Sequence, residues 1–259
     1  MRIAYFFGAA ALFGAALLNP APAAAQQTIE SAGLTIATTP AITTDYVFRG
    51  ISQTRSRPAI QLTVDVEHES GLYIGVFASN ANFAGTNIRQ EVDLNFGYRF
   101  TVAGVKLDLG ATYFGYPGYD KPPGGFEAAW WEGTLRATYE AEPFKFLGSV
   151  AYSPNFNFES GQAVYVEAGF DLTLDFGFTL GFRAGYQWIE RNFANPARPN
   201  RGSFGAEDYG LLSLTVSREI GLGVIGAVQV THVTLDGNDC FGGLKLCGTR
   251  YLATLSRPF

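Results

Sequence analysis

Charge is scarce in this sequence, and so are several side chains on which enzyme active sites often depend. Asp, Glu, Lys and Arg together make up 16% of the 259 residues, and there are two His, two Cys and one Met. The 18 basic and 23 acidic residues give a formal net charge of −5. Because no basic stripe is present, nucleic-acid binding is not expected. After the first 25 residues, no apolar run reaches the ~18 residues that a membrane-spanning helix needs.

Aromatic residues and glycine are abundant instead. Phe, Tyr and Trp make up 15% of the chain, and there are 31 glycines. Disordered chains are poor in aromatics and rich in charge, so this composition excludes a disordered chain. Together with the strand patterns described below, it predicts an all-β protein.

The N-terminus has the organisation of a secretory signal peptide. Arg2 precedes an uncharged apolar stretch over residues 3–18, and small residues lead to a cleavage site between Ala25 and Gln26. A membrane anchor is the alternative, but the run is short and no basic segment follows it to stop transfer. The sequence therefore predicts a signal peptide over residues 1–25, a periplasmic lead-in over 26–41, and export from the cytoplasm.

Strict alternation of apolar and polar residues dominates the rest of the chain. This period of two predicts strands with one apolar and one polar face. The clearest examples are residues 60–67, 92–100, 105–113, 164–172 and 178–186. With a first strand over residues 42–48, after Pro40, and several weaker segments, the sequence predicts twelve strands between residues 42 and 259.

The connections between these strands alternate strictly between long and short. Short periplasmic turns and long extracellular loops are typical of a transmembrane antiparallel β-barrel in the outer membrane of a Gram-negative bacterium, and twelve is an even number as such barrels require. A soluble sandwich, with the apolar face as its core, is the alternative. Aromatics at both ends of the apolar rows favour the barrel, because they form two interfacial belts. The belt near the long loops contains Tyr46, Phe48, Tyr113, Trp131, Tyr152, Tyr186 and Trp188, and the other contains Tyr98, Phe100, Tyr139, Phe144, Phe178 and Phe259.

The last strand resembles the C-terminal signal by which outer-membrane barrels are assembled. Tyr251, Leu255 and the terminal Phe259 lie on one row, although Arg257 departs from the pattern. The barrel-assembly machinery, membrane lipid and lipopolysaccharide are therefore expected partners.

Three segments carry a resemblance to a known family. They are Asp45-Tyr46-Val47-Phe48-Arg49-Gly50-Ile51-Ser52-Gln53, Pro58-Ala59-Ile60-Gln61 and His68-Glu69-Ser70-Gly71-Leu72-Tyr73. The first of these is the most specific. The chain resembles the TorF-type porins, a proteobacterial family also known as Gcw_chp, whose function is unknown. The resemblance implies an outer-membrane barrel with a channel role.

Cys240 and Cys247 are the only cysteines, and both lie in the last long loop. Because an exported chain enters an oxidising periplasm, we predict a disulfide between them. A metal site is the alternative, but it would need further ligands, and the only nearby imidazole is that of His232. The sequence predicts neither a cofactor nor a metal site.

An outer-membrane lipase would need a serine beside a histidine. Ser217 is expected at the opposite strand end from His232, and Ser213 on the opposite face of the wall. No Gly-x-Ser-x-Gly elbow occurs either. We therefore predict that the protein is not an enzyme.

Charged residues on the polar rows are expected to line the barrel lumen. The predicted lining residues are Asp65, Glu91, Asp93, Arg99, Lys106, Asp108, Glu132, Arg136, Glu167, Asp171 and Arg183, with Lys145 on the same row. Glu91, Asp93, Glu132 and Glu167 are expected to face Arg99, Arg136 and Arg183. An open lumen would make the protein a porin for passive diffusion of small hydrophilic solutes or ions, with a mild cation preference. The alternative is a closed structural or surface-interaction barrel whose lumen is filled by salt bridges.

Overall fold

A computed structural model describes residues 27–192, 202–236 and 240–259. The predicted signal peptide, including Ala25 and Gln26, lies outside the described residues. Among the described residues, no helix is long and apolar enough to cross a membrane.

Twelve antiparallel strands form one closed barrel, which confirms the predicted fold class. In chain order the strands are β1 (Leu34–Thr43), β2 (Ala59–His68), β3 (Leu72–Asn80), β4 (Gln90–Val102), β5 (Val105–Gly115), β6 (Trp130–Ala141), β7 (Phe144–Ser153), β8 (Ala163–Thr173), β9 (Phe178–Ile189), β10 (Tyr209–Gly221), β11 (Val224–Val233) and β12 (Thr249–Ser256). Each strand pairs with its neighbours in sequence, and β12 pairs with β1 to close the barrel.

Three short strands and three single 3-10 turns complete the described fold. The strand Gln27–Ile29 pairs with β1, and Val47–Phe48 pairs with Ile51–Ser52 in a separate small hairpin. The 3-10 turns are Glu30–Ala32, Asn157–Glu159 and Asp175–Gly177. All five short turns lie at one end of the barrel together with the start of β1 and the end of β12, so we call this the turn end and its opposite the loop end.

The first barrel strand begins earlier than the sequence predicts. It runs over Leu34–Thr43, so the predicted strand over residues 42–48 and the lead-in over 26–41 are wrong in their boundaries. Pro40 lies inside this strand. Its carbonyl accepts a hydrogen bond from the N–H of Arg257, so its ring nitrogen also faces β12. The donor that proline lacks is therefore lost only at the closing seam, where β1 and β12 pair over three residues.

The outer face of the barrel is apolar, as the barrel interpretation predicts. On β4, for example, Val92, Leu94, Phe96 and Tyr98 all point outward and are exposed. Trp131, Tyr152, Tyr186 and Trp188 are exposed near the loop end, and Tyr98, Tyr139, Phe144, Phe178 and Phe259 near the turn end. Such an outer surface would be unfavourable in water and suits a lipid environment.

The C-terminal row also faces outward. Tyr251, Leu255 and Phe259 are exposed on the barrel exterior. Backbone hydrogen bonds in both directions between Thr38 and Phe259 extend the closing seam beyond β12. The assembly role of this row stays a prediction.

Candidate functional site: the lumen and its inner hairpin

The segment between β1 and β2 folds into the barrel instead of extending from it. We call residues 45–54 the inner hairpin. Tyr46 is 2% exposed, and it packs with Ile51 in the same buried cluster as the wall residues Phe77 and Trp130. The sequence analysis placed Tyr46 and Phe48 in the outer aromatic belt, and this is wrong. Both belong to the family-like motif, which forms a plug in the loop-end half of the lumen.

Gly50 allows the tip of the hairpin to approach the barrel wall. Its φ is +79°, in the left-handed region that favours glycine. A Cβ at this position would also overlap the side chains of Val233 and Leu211. A larger residue would therefore displace the tip from its place in the lumen.

Arg49 connects the hairpin tip to the opposite wall. Its Nη1 donates a hydrogen bond to Oε1 of Glu132 on β6, and its Nη2 donates one to Oε2, both at 2.8 Å. Nη1 also donates to Oε1 of Gln187 on β9 at 2.9 Å, and the guanidinium lies 4.2 Å from the ring centroid of Tyr165 on β8. The two-pronged ion pair and the ring contact are strong interactions for a buried guanidinium. Arg49 therefore holds the plug across the lumen.

A second buried ion pair secures the base of the hairpin. The hydroxyls of Ser52 and Thr54 donate to Oδ1 of Asp45 at 2.6 and 2.8 Å, and Nη1 of Arg250 donates to Oδ2 at 2.8 Å. Arg250 also donates to the backbone carbonyls of Lys245 and Leu246 in the last loop. One arginine thus joins the inner hairpin to the loop between β11 and β12.

That last loop contains the disulfide. Cys240 and Cys247 are bonded, with their Cα atoms 6.0 Å apart, as the sequence analysis predicts. Between them, the carbonyl of Leu246 accepts a hydrogen bond from the N–H of Ser52 in the inner hairpin. The disulfide therefore stiffens a loop that directly contacts the plug.

Replacing Cys240 and Cys247 together by serine is expected to loosen this loop without unfolding the barrel. A disulfide that closes so short a loop contributes about 2–3 kcal/mol by restricting the unfolded chain. In the wild type, peptide mapping without reductant should recover the two cysteine peptides linked, and the variant should be cut faster by trypsin at Lys245. Two free thiols in protein isolated from an oxidising compartment would contradict the pairing.

The long loops cover the hairpin at the loop end. Phe156 packs on Trp130 with ring centroids 5.1 Å apart, and Phe204 packs on Phe156 at 5.4 Å. A pocket of about 90 Å³ remains between these rings and the hairpin residues Phe48 and Ile51. The loop end of the lumen is therefore packed with apolar side chains.

The predicted lining residues are sorted along the barrel axis. Glu91, Asp93, Glu132 and Glu167 lie toward the loop end, near the inner hairpin. The others lie toward the turn end, namely Asp65, Arg99, Lys106, Asp108, Arg136, Asp171 and Arg183. The three arginines do not pair with the four loop-end carboxylates. The partner of Glu132 is instead Arg49, which the sequence analysis did not include among the lining residues.

Ion pairs run along the wall of the turn-end half of the lumen, between strands that are adjacent or next but one. Arg99 pairs with Glu67 and, at 3.5 Å, with Asp108, while Arg136 approaches Asp108 at 3.4 Å. Arg183 pairs with Asp171 at 2.6 Å. These contacts link β2, β4, β5 and β6 on one side and β8 and β9 on the other. They form the charged network that the closed-barrel alternative describes.

The remaining wall carries no charged side chain at mid-barrel. Along β10–β12, the inward-facing residues at mid-barrel are mostly hydroxyl or amide side chains: Ser213, Thr215, Ser217, Gln229, Thr231 and Thr254. The lumen thus has a charged arc over β2–β9 and a neutral polar arc opposite it.

No group of three or more His, Cys, Asp or Glu residues in the part of the chain that the structure describes could hold a metal ion. Ser213 points into the lumen and accepts a hydrogen bond from Gln229, whereas His232 is exposed on the exterior beside Thr249. The serine and histidine considered above therefore lie on opposite faces of the wall.

The chain is similar to one protein family in sequence and to several solved porins in fold. The family described as "Bacterial protein of unknown function (Gcw_chp)" matches residues 27–235. No curated protein matches the chain. Among solved structures, a KdgM porin is similar over 86% of this chain and 99% of its own, with 10% sequence identity and a TM-score of 0.54. A NanC porin is similar over 85% and 97%, with 7% identity and a TM-score of 0.53. At these identities the likeness concerns the fold.

Proposed function

This chain belongs to the Gcw_chp family, and we propose that it is an outer-membrane channel for passive diffusion of small hydrophilic solutes or ions. The supporting observation is a lumen lined by charged and hydroxyl side chains inside a wall with an apolar exterior. Porins are among the solved structures that share its fold. The motif from Asp45 to Gln53, which is the most specific part of the resemblance, supports the TorF-type assignment, and the inner hairpin that it forms lies in the proposed path.

The proposed location follows from the two ends of the chain and from the outer surface. The signal peptide over residues 1–25 directs export, and cleavage after Ala25 leaves Gln26 as the first residue. The assembly machinery then recognises the row ending in Phe259, and the aromatic belts contact lipid and lipopolysaccharide. Cell fractionation is expected to recover the protein in the outer membrane, migrating faster on a gel before boiling than after it. A soluble periplasmic protein with unchanged migration would contradict this location.

A closed barrel is the second candidate function, and the inner hairpin supports it. The plug occupies the loop-end half of the lumen, and ion pairs between adjacent strands line the wall of the turn-end half. In that case the loops would serve a structural or surface-interaction role. The two candidates differ in one measurable property, which is the current through a single molecule in a planar bilayer.

Stepwise openings with a mild cation preference are expected from the purified protein. The lining residues predicted from sequence, counted together with Lys145, comprise seven acidic and five basic side chains. Glu67 and Arg49 each add one charge, so the acidic excess stays at two. Fixed charge of one sign in a narrow path concentrates ions of the opposite sign. A silent bilayer containing correctly folded protein would favour the closed barrel.

The cation preference is expected to decrease when Asp65→Asn is combined with Glu167→Gln, because both carboxylates face the lumen. Reversal potentials in a salt gradient measure this change. Glu142→Gln combined with Asp175→Asn is the matched control, since it removes the same charge from exposed turns. An equal shift in both double variants would show that the lumen carboxylates do not set the selectivity.

A further inference from the structure

Two acidic side chains lie side by side in the lumen without an arginine or lysine partner. Glu91 and Asp93 are two residues apart on the inner face of β4, and they are 2% and 0% exposed. The cross-strand neighbours of Asp93 are Phe77 on β3 and Phe114 on β5. A buried carboxylate between two phenyl rings is costly unless its charge is balanced. Other lumen carboxylates, such as Glu132 and Asp171, have an arginine for this purpose.

Two phenol hydroxyls are the polar side-chain groups nearest to the pair. The hydroxyl of Tyr46 in the inner hairpin donates a hydrogen bond of 2.5 Å to Oε1 of Glu91. The buried hydroxyl of Tyr116 lies within hydrogen-bonding reach of Glu91 and close to Asp93, but it is not well aligned with either carboxylate. Neither oxygen of Asp93 accepts a well-aligned hydrogen bond from the described residues, although the N–H of Gly115 lies near it.

We propose that Glu91 and Asp93 bind one divalent cation, with the Tyr116 hydroxyl as an additional oxygen ligand. Two carboxylates balance a double positive charge, and oxygen ligands suit a hard cation such as Ca²⁺. The second observation behind this site is the buried Tyr116 hydroxyl, which is directed at the acidic pair without a well-aligned hydrogen bond of its own. With only two charged ligands, the affinity should lie in the weak range of Ca²⁺ sites, with a Kd on the order of 10⁻⁴ to 10⁻³ M.

The cation would also strengthen the inner hairpin. Tyr46 connects the hairpin directly to Glu91, so a cation that fixes the carboxylate also fixes the acceptor of this hydrogen bond. The site does not depend on whether the lumen conducts. Its test therefore uses binding and stability, and a failure there leaves the proposed channel untouched.

Terbium luminescence provides the direct measurement on the full mature chain in detergent. Tb³⁺ replaces Ca²⁺ in oxygen sites, and the rings of Tyr46, Tyr116 and Trp130 would transfer excitation to an ion bound beside them. The wild type is expected to give a saturable signal that Ca²⁺ displaces. Asp93→Asn should lose most of it, and Glu91→Gln, which keeps an acceptor for Tyr46, should lose it as well. Asp65→Asn is the matched control and should keep the signal, because this carboxylate lies in the turn-end half of the lumen.

The thermal midpoint of the wild type supplies a second readout that needs no variant. Ca²⁺ in the millimolar range is expected to raise it, because a ligand that binds only the folded state stabilises that state. A Tb³⁺ signal that is equal in the wild type and Asp93→Asn would overturn the site. So would a wild type that Ca²⁺ does not stabilise while Asp93→Asn is more stable than the wild type, since that result means that the two carboxyl groups share a proton.

Discussion

Arg49→Ala is expected to increase single-channel conductance severalfold relative to the wild type. The substitution removes both hydrogen bonds to Glu132, the hydrogen bond to Gln187 and the contact with Tyr165, which together hold the hairpin tip across the lumen. Glu132 would then be buried without its partner, and breaking a buried ion pair in this way costs about 3–5 kcal/mol. The hairpin is therefore expected to leave its docked position and widen the path.

The matched control for this prediction is Arg55→Ala. Arg55 lies in the same loop but is exposed, so its removal takes away the same charge without releasing the plug. Arg49→Lys is expected to give an intermediate conductance, because an ammonium group keeps the charge but cannot form the two-pronged contact with Glu132. Equal conductance in Arg49→Ala and the wild type, in protein that still migrates as a folded barrel, would show that the hairpin does not restrict the path.

The barrel could be predicted from sequence because its information is local. A period of two over 8–13 residues defines each strand, and the alternation of loop lengths defines which strand ends share one side of the membrane. The same reasoning placed the charged rows on the inner face, because a strand's two faces are fixed once the apolar face is known. Twelve strands and their consecutive pairing followed from these two patterns alone.

The inner hairpin could not be predicted by the same reasoning. Tyr46 and Phe48 are two residues apart, as are side chains on one face of a strand, so the pattern favoured an outer belt for both. What distinguishes this segment is its set of distant partners: Arg49 and Glu132 are 83 residues apart, and Asp45 and Arg250 are 205 apart. Local patterning contains no information about such contacts. The family-like motif was the only signal on this segment, and it carried no structural meaning until the fold was known.

Pro40 misled the prediction for a related reason. Proline is unfavourable inside a strand because it cannot donate to the ladder, which placed the predicted start of the first strand after it. That argument assumes that both sides of the strand are fully paired. Where β1 meets β12, the ladder contains only three residue pairs, and the missing donor faces this short seam. Whether a strand lies at the closing seam depends on the whole barrel.

Arg250→Met is expected to release the inner hairpin and the disulfide loop together. The arginine donates to Asp45, Ser56, Lys245 and Leu246, and methionine fills a similar volume without any donor. The side chain of Asp45 is 8% exposed, so it would be left buried without its partner at a cost of about 3 kcal/mol or more. Because every 1.4 kcal/mol is a factor of ten, the opened population should rise on the order of a hundredfold.

Limited trypsin digestion measures this release, since cleavage follows the population of the opened state when opening is fast. Faster cutting is expected at Arg55 beside the hairpin and at Lys245 in the disulfide loop, whereas the barrel itself should stay intact. Arg218→Met is the control. This arginine is exposed near the turn end, where it lies over the ring of Phe178, far from the inner hairpin and the disulfide loop. If only the Lys245 site became more sensitive, the hairpin would be held by Arg49 without help from Arg250. If the Arg55 and Lys245 sites respond together, the inner hairpin and the disulfide loop open as one unit, and Arg250 is the side chain that joins them.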